Sequence, residues 1–98
     1  MKPRVRLKDW EIEAIREAVH RYDSCAEILL FGSRTDLEKR GGDIDLLVVS
    51  KKIGYNERRK IRVELLKRLG DRKIDLLVVS DPKDSVFTDV MYKYGVKL

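Results

Sequence analysis

An α/β fold, one sheet with helices packed on it, is predicted by three features of this 98-residue chain. Short runs rich in Leu and Val alternate with longer stretches whose apolar residues recur at three- and four-residue steps. A seven-residue string, IDLLVVS, occurs at 44–50 and again at 74–80, which gives two strands the same inward and outward pattern. Pro3 and Pro82 are the only prolines, and no Ser/Gly linker interrupts the chain, so residues 1–98 read as a single domain.

The elements follow in order. From Asp9 to Tyr22 the residues Ile12, Ile15, Ala18, Val19 and Tyr22 form one stripe, with Asp9 as N-cap and Glu11 and Glu13 in the first turn: an amphipathic helix. Glu27 to Phe31 is an apolar run too short for a helix and ended by Gly32, hence a first strand. Ile44 to Val49 and Ile74 to Val79 read as strands buried on both faces. Between them, Asn56 to Leu69 carries Ile61, Leu65, Leu66 and Leu69 on one stripe and meets Gly70, a helix terminator. Asp81 as N-cap and Pro82 at the first helical position start a third helix running to Tyr94, with Val86, Phe87, Val90, Met91 and Tyr94 as its apolar face and Gly95 closing it. Val96 to Leu98 make a short last strand. The sheet therefore has three to four strands.

Composition excludes several function classes. No apolar run approaches the roughly 18 to 20 residues of a membrane span, and Met1 to Lys8 lacks the apolar stretch of a signal peptide, so the chain reads as soluble and cytoplasmic, with no membrane partner. One cysteine, Cys25, cannot make an internal disulfide, and one histidine, His20, cannot build a zinc site alone. Cys25 is expected to be a small apolar filler and His20 to lie on a helix surface.

The chemistry concentrates in 31–45, FGSRTDLEKRGGDID. Strand side chains alternate faces, so Asp43 and Asp45 project from one side, about 6 to 7 Å apart along the strand. Two such carboxylates repel each other unless a cation sits between them, and magnesium suits a site built from one or two carboxylates, phosphate oxygens and water. Asp75 holds the position in the second IDLLVVS string that Asp45 holds in the first. If the two strands are neighbours, three acids converge. Upstream, Gly32 after a strand lets backbone approach a phosphate closely, and the adjacent amide and Ser33 hydroxyl can donate to it. A Gly-Ser pair alone is an ordinary turn; its combination with the acids is the specific signal.

With Gly32, Ser33, Asp43, Asp45 and Asp75 in place, the sequence resembles a minimal nucleotidyltransferase of the DNA polymerase beta superfamily, over nearly its whole length. The resemblance implies a nucleotidyltransferase fold with a mixed sheet, and two-metal transfer of a nucleoside monophosphate from a triphosphate. Asp43, Asp45 and Asp75 would be the catalytic residues and would hold two Mg²⁺ ions, with Mn²⁺ as an alternative. Gly32 and Ser33 would hold the β- and γ-phosphates, Arg34 would contact phosphate, and Asp75 would also help deprotonate the acceptor hydroxyl. Many relatives follow the serine with Arg-Ala-Arg-Gly, whereas here Arg34 precedes Thr35-Asp36-Leu37 and nine residues separate Ser33 from Asp43. That departure bears on acceptor choice more than on the chemistry.

A domain of this size has no room for an acceptor-binding domain. Stand-alone proteins that look like this one are often paired with an all-helical HEPN-type toxin and attach AMP from ATP to one of its tyrosines, acting as antitoxin. Two other functions compete: a non-catalytic module that neutralises its partner by occlusion, and an RNA-binding or RNA-tailing accessory. The last draws on charge. Residues 51–73 hold ten Lys and Arg against three acids, a net of +7, in a chain whose net is +5. Such a run fits an anionic partner or a solvated helix face equally well, and without interleaved aromatics other than Tyr55 it argues weakly for nucleic acid.

Overall fold

In a computed structural model the described residues are 7–31, 44–70 and 73–98. Helix α1 (Asp9–His20) leads into strand β1 (Glu27–Phe31); β2 (Ile44–Val49), α2 (Tyr55–Leu69) and β3 (Ile74–Val79) follow. A 3₁₀ turn (Pro82–Asp84), α3 (Val86–Tyr94) and β4 (Val96–Lys97) complete the chain. The sheet order is β3-β2-β1-β4. It is mixed: β1 runs antiparallel to β2 and β4, whereas β2 and β3 are parallel and joined through α2. A parallel pair needs such a crossover, and a helix of this length supplies it.

The two sheet faces are covered unequally. Ile44, Leu46, Val48, Ile74 and Leu76 point to the face on which α1 and α2 lie, and pack with Ile15, Val19, Leu30, Ile61 and Leu65. Full burial of each such aliphatic chain contributes about 1.5–3 kcal/mol. Among the described residues only α3 lies on the opposite face, and its buried contact is Met91 against Leu29 and Leu47. The close seat of α3's C-terminus demands glycine: a Cβ on Gly95 would come within 2.6 Å of the Met91 carbonyl and 3.2 Å of the Leu30 carbonyl. Gly70, with φ +85°, ends α2 in a conformation that L side chains rarely adopt.

Several expectations are corrected. Helix α1 has Lys8, not Asp9, as its N-cap, because the Glu11 carboxylate accepts the Lys8 N–H at 2.8 Å. It ends at His20, where Tyr22 N–H bonds back to the Val19 carbonyl in a tight turn. Helix α2 begins one residue early, at Tyr55, with the Glu57 carboxylate on Gly54 N–H at 2.8 Å. Its stripe is Ile61, Leu65 and Leu69, while Leu66 is 40% exposed. Strand β3 is not buried on both faces: it is an edge strand, and Asp75 and Leu77 are exposed.

The third helix is two pieces. Asp81 caps the 3₁₀ turn, and Ser85, in extended conformation, breaks the helix and caps α3 by accepting Thr88 N–H at 3.1 Å. Thr88 Oγ1 in turn donates to the Pro82 carbonyl at 2.6 Å. This local competition for backbone groups outweighs the helical pattern. Of the expected apolar face only Met91 is buried; Val86 is 83%, Phe87 61% and Tyr94 76% exposed. Cys25 is exposed rather than a core filler, and His20 is half-buried, its Nε2 donating to the Ala26 carbonyl at 3.1 Å.

One polar group that composition did not single out ties the layers together. Asp23, buried between α1 and β1, accepts from Ser50 Oγ at 2.6 Å and from Cys25 N–H at 3.0 Å. Ser50 Oγ also accepts the Lys52 and Ile53 N–H groups at 3.1 and 3.0 Å. The Ser50 hydroxyl, then the Cys25 amide, hold the Asp23 carboxyl below the ordinary carboxylate range. A lowered native value means that its stabilisation is present above the unfolded value, about 3.9, and is lost as pH falls through the native one. Asp23→Asn should therefore melt below wild type at neutral pH, and Ser50→Ala by about 5 °C or more below. The Asp23→Asn gap should close as pH drops below about 4. Melting curves across pH check this; a gap independent of pH would show that the charge of Asp23 is not what matters.

Candidate active site

Alternation along β2 and β3 decides which face carries the acids. Leu47, Val49 and Val79 belong to the cluster around Met91, so Asp45 and Asp75, two and four residues away, stand on the α3 side. In the parallel register Asp45 pairs with Asp75, and Phe31 pairs with Asp45 from the other neighbour. Residues paired on adjacent strands have Cα atoms about 4.8 Å apart, so both carboxylates leave one small area at the N-terminal ends of β2 and β3. Asp45 is half-buried and Asp75 exposed.

These acids open into a cleft of about 410 Å³ walled by Phe31, Leu77, Phe87 and Met91. Among the described residues α3 covers this side of the sheet only near Leu29 and Leu47 and leaves the β3 side open, which forms the cleft. Its wall is apolar and its floor carries two acids, a pairing that suits a planar ring beside a charged or polarised oxygen. Of the residues expected at the site, the structure brings Asp45 and Asp75 together. Gly32, Ser33, Arg34 and Asp43 lie outside the described residues.

Among the described residues no three His, Cys, Asp or Glu side chains converge as a metal cage. Asp45 and Asp75 still fit a magnesium-type cation, which takes hard oxygen ligands and is satisfied with one or two carboxylates when phosphate oxygens and water supply the rest. The cleft walls were not read from the sequence as part of a site. Phe87 shares the predicted apolar face of the third helix because its spacing matches Val90 and Met91; the signal against burial is Ser85, which breaks the helix just before it and caps α3.

Among the described residues no helix is long and apolar enough to cross a membrane. A family model described as Polymerase beta, Nucleotidyltransferase, matches residues 13–98. No curated protein matches the chain at a significant level.

Manganese added without nucleotide should broaden the NMR signals of Leu77 and Phe87 by paramagnetic relaxation, and Asp45→Asn should remove most of that effect. Equal broadening in wild type and variant, or broadening centred elsewhere on the molecule, would dissociate the acid pair from metal binding.

Proposed function

Because the chain belongs to the polymerase beta nucleotidyltransferase family, we propose that it transfers AMP from ATP to a tyrosine hydroxyl of a separate all-helical HEPN-type protein, acting as that protein's antitoxin. The observation that carries this reading is the Asp45–Asp75 pair, side by side in parallel register at the floor of an open cleft. The apolar wall of Phe31, Leu77, Phe87 and Met91 supports a ring-bearing acceptor, since an aromatic hydroxyl can lie against it with its oxygen at the acids.

In this reading Asp43, Asp45 and Asp75 hold two Mg²⁺ ions, or Mn²⁺ in their place, while Gly32, Ser33 and Arg34 hold the β- and γ-phosphates. The metals, when bound, neutralise phosphate charge and lower the pKa of the acceptor hydroxyl. Asp75, the more exposed acid, takes up the hydroxyl proton. The acceptor oxygen bonds to the α-phosphorus, the bond from that phosphorus to the bridging oxygen breaks, and pyrophosphate leaves. The domain is taken to act in the cytoplasm, where ATP and magnesium are plentiful.

A second reading, occlusion without chemistry, is favoured by one observation: Val86, Phe87 and Tyr94 give α3 an exposed apolar stripe beside the cleft. The two separate cleanly. With α-labelled ATP and magnesium, label should appear on a co-expressed HEPN-type protein, and Asp45→Asn and Asp75→Asn should each lower the rate by more than about a hundredfold. A double variant, Asp45→Asn with Asp75→Asn, that still neutralises the toxin in cells while transferring no label would establish occlusion instead.

A further inference from the structure

The edge of the sheet next to Asp75 is lined by arginines. Helix α2 and the outer side of β3 enclose a second cleft, of about 400 Å³, formed by Tyr55, Arg58, Arg59 and Arg62 on the helix and by Asp75 and Leu77 on the strand. Asp75 and Leu77 also border the cleft described above, so the two meet across the edge strand. Arg68, on the same helix, is neutralised by Glu17 at 2.8 Å and Glu64 at 3.5 Å. No carboxylate among the described residues pairs with Arg58, Arg59 or Arg62 in that way. Two of them instead gather on an exposed ring: the Arg58 and Arg59 guanidinium groups lie 5.4 and 5.9 Å from the Tyr55 ring centre. Three uncompensated guanidinium groups in one cleft are complementary to an anion with several carboxylates or phosphates.

The strand adds a second feature. Lys73 and Val79 turn their carbonyls to β2, accepting Ile44 N–H at 2.8 Å and Ser50 N–H at 2.9 Å. The alternate residues Ile74, Leu76 and Val78 therefore direct their backbone groups outward, away from the sheet. The Leu76 carbonyl meets an Arg58 N–H at a long 3.5 Å, a contact weak enough to be exchanged. An outward row of backbone donors and acceptors is a template for one more strand.

We infer that this cleft is the acceptor's docking groove, and that its occupant is an extended acidic protein segment. The segment's backbone adds to the outer edge of β3, its carboxylates meet Arg58, Arg59 and Arg62, and its target hydroxyl is carried across the edge to Asp75. This rests on the reading of a protein acceptor given above. A peptide fits better than a nucleic-acid strand for two reasons. Strand addition uses the outward backbone of β3, which nucleic acid would leave unpaired. Single-strand nucleic-acid grooves present a succession of aromatic platforms, and here there is one, Tyr55, already stacked with two arginines.

The probe is a fluorescent random Glu–Tyr copolymer, followed by anisotropy at low and at physiological salt, with a uridine oligonucleotide as the competing polyanion. Wild type should bind the copolymer more tightly than the oligonucleotide, and salt should weaken that binding. Arg58→Ser with Arg59→Ser and Arg62→Ser should reduce affinity about tenfold or more at low salt. The pair Arg59→Ser, Arg62→Ser leaves the Arg58 contact to β3 intact, and should reproduce most of the loss in a protein with a wild-type melting curve. Bound copolymer should slow hydrogen exchange at the Leu76 and Val78 amides. Unchanged copolymer affinity in both arginine variants, or no added protection of those two amides, would overturn the groove. Tighter binding of the oligonucleotide, lost in the same variants, would overturn the protein occupant in favour of nucleic acid. If wild type transfers AMP to no acceptor while arginine-dependent binding and amide protection persist, the proposed reaction fails and the docking groove stands.

Discussion

The parallel pairing of β2 with β3 is the constraint on which the rest of this molecule depends. Because the two strands carry the same IDLLVVS string and pair residue for residue, every side chain of one has its counterpart beside it. The alternate Ile and Leu residues at 44, 46, 74 and 76 form one buried layer against α1 and α2, while the acids at 45 and 75 meet on the other face. A slip of one residue would turn Asp45 or Asp75 into the aliphatic layer. Burying an unpaired carboxylate there costs several kcal/mol, so the register is held by the core as firmly as by the ladder.

From that constraint the open cleft follows. A parallel pair needs α2 as its crossover, and α2 must share a face with α1 because Ile61, Leu65 and Leu69 require the same aliphatic layer. Among the described residues only the short α3 is left for the acid face. Nine residues long, anchored by Met91 and tied down by Gly95 against β1, it covers Leu29 and Leu47 and stops. The half-covered face is therefore a result of chain economy, and the exposed Phe87 and Leu77 are its rim. At the opposite end of the central strands, Asp23 and Ser50 play the opposite part: a closed polar knot holds the ends of α1 and β2 together, away from the acids.

What the sequence made legible divides along the same line. The bounds of β1, β2 and β3 could be read to the residue, because short Leu- and Val-rich runs stopped by Gly or charge leave little freedom. The matched positions of Asp45 and Asp75 were legible from the repeat, although that the strands are neighbours was not, since pairing is a non-local choice. The third helix was misread where side chains compete with the backbone: Ser85 and Thr88 take hydrogen bonds that a continuous helix would make. The same misreading put Phe87 and Tyr94 in the core. Periodicity reports which residues share a helix face; it does not report whether anything lies opposite that face. For α3, little does among the described residues. The burial of β3 was overstated for a related reason, since an edge strand and a central one can carry the same apolar string when one face is shared.

The charge of α2 can be assigned to two physical roles along its length. At its C-terminal end Arg68 bridges to Glu17 and Glu64, and Arg21, the residue that follows α1, reaches Glu64 as well, so the two helices are joined by an ion-pair network at their exposed seam. Such exposed pairs contribute little each, about 0–1 kcal/mol, and their value is in fixing how α2 lies on α1. At its N-terminal end the arginines have no such partners among the described residues, yet the positive end of the helix dipole already disfavours cations there. Placing Arg58 and Arg59 in the first turns of α2 therefore goes against the intrinsic electrostatics of the helix. The stacking of both on Tyr55 offsets part of that cost, at about 0.5–1 kcal/mol for exposed contacts. A helix that concentrates cations at the end where its own field repels them, beside a strand edge that carries Asp75, creates a positive potential next to a negative one across a single strand. An acceptor that carries acidic residues beside its hydroxyl would be oriented by that potential difference before any specific contact forms.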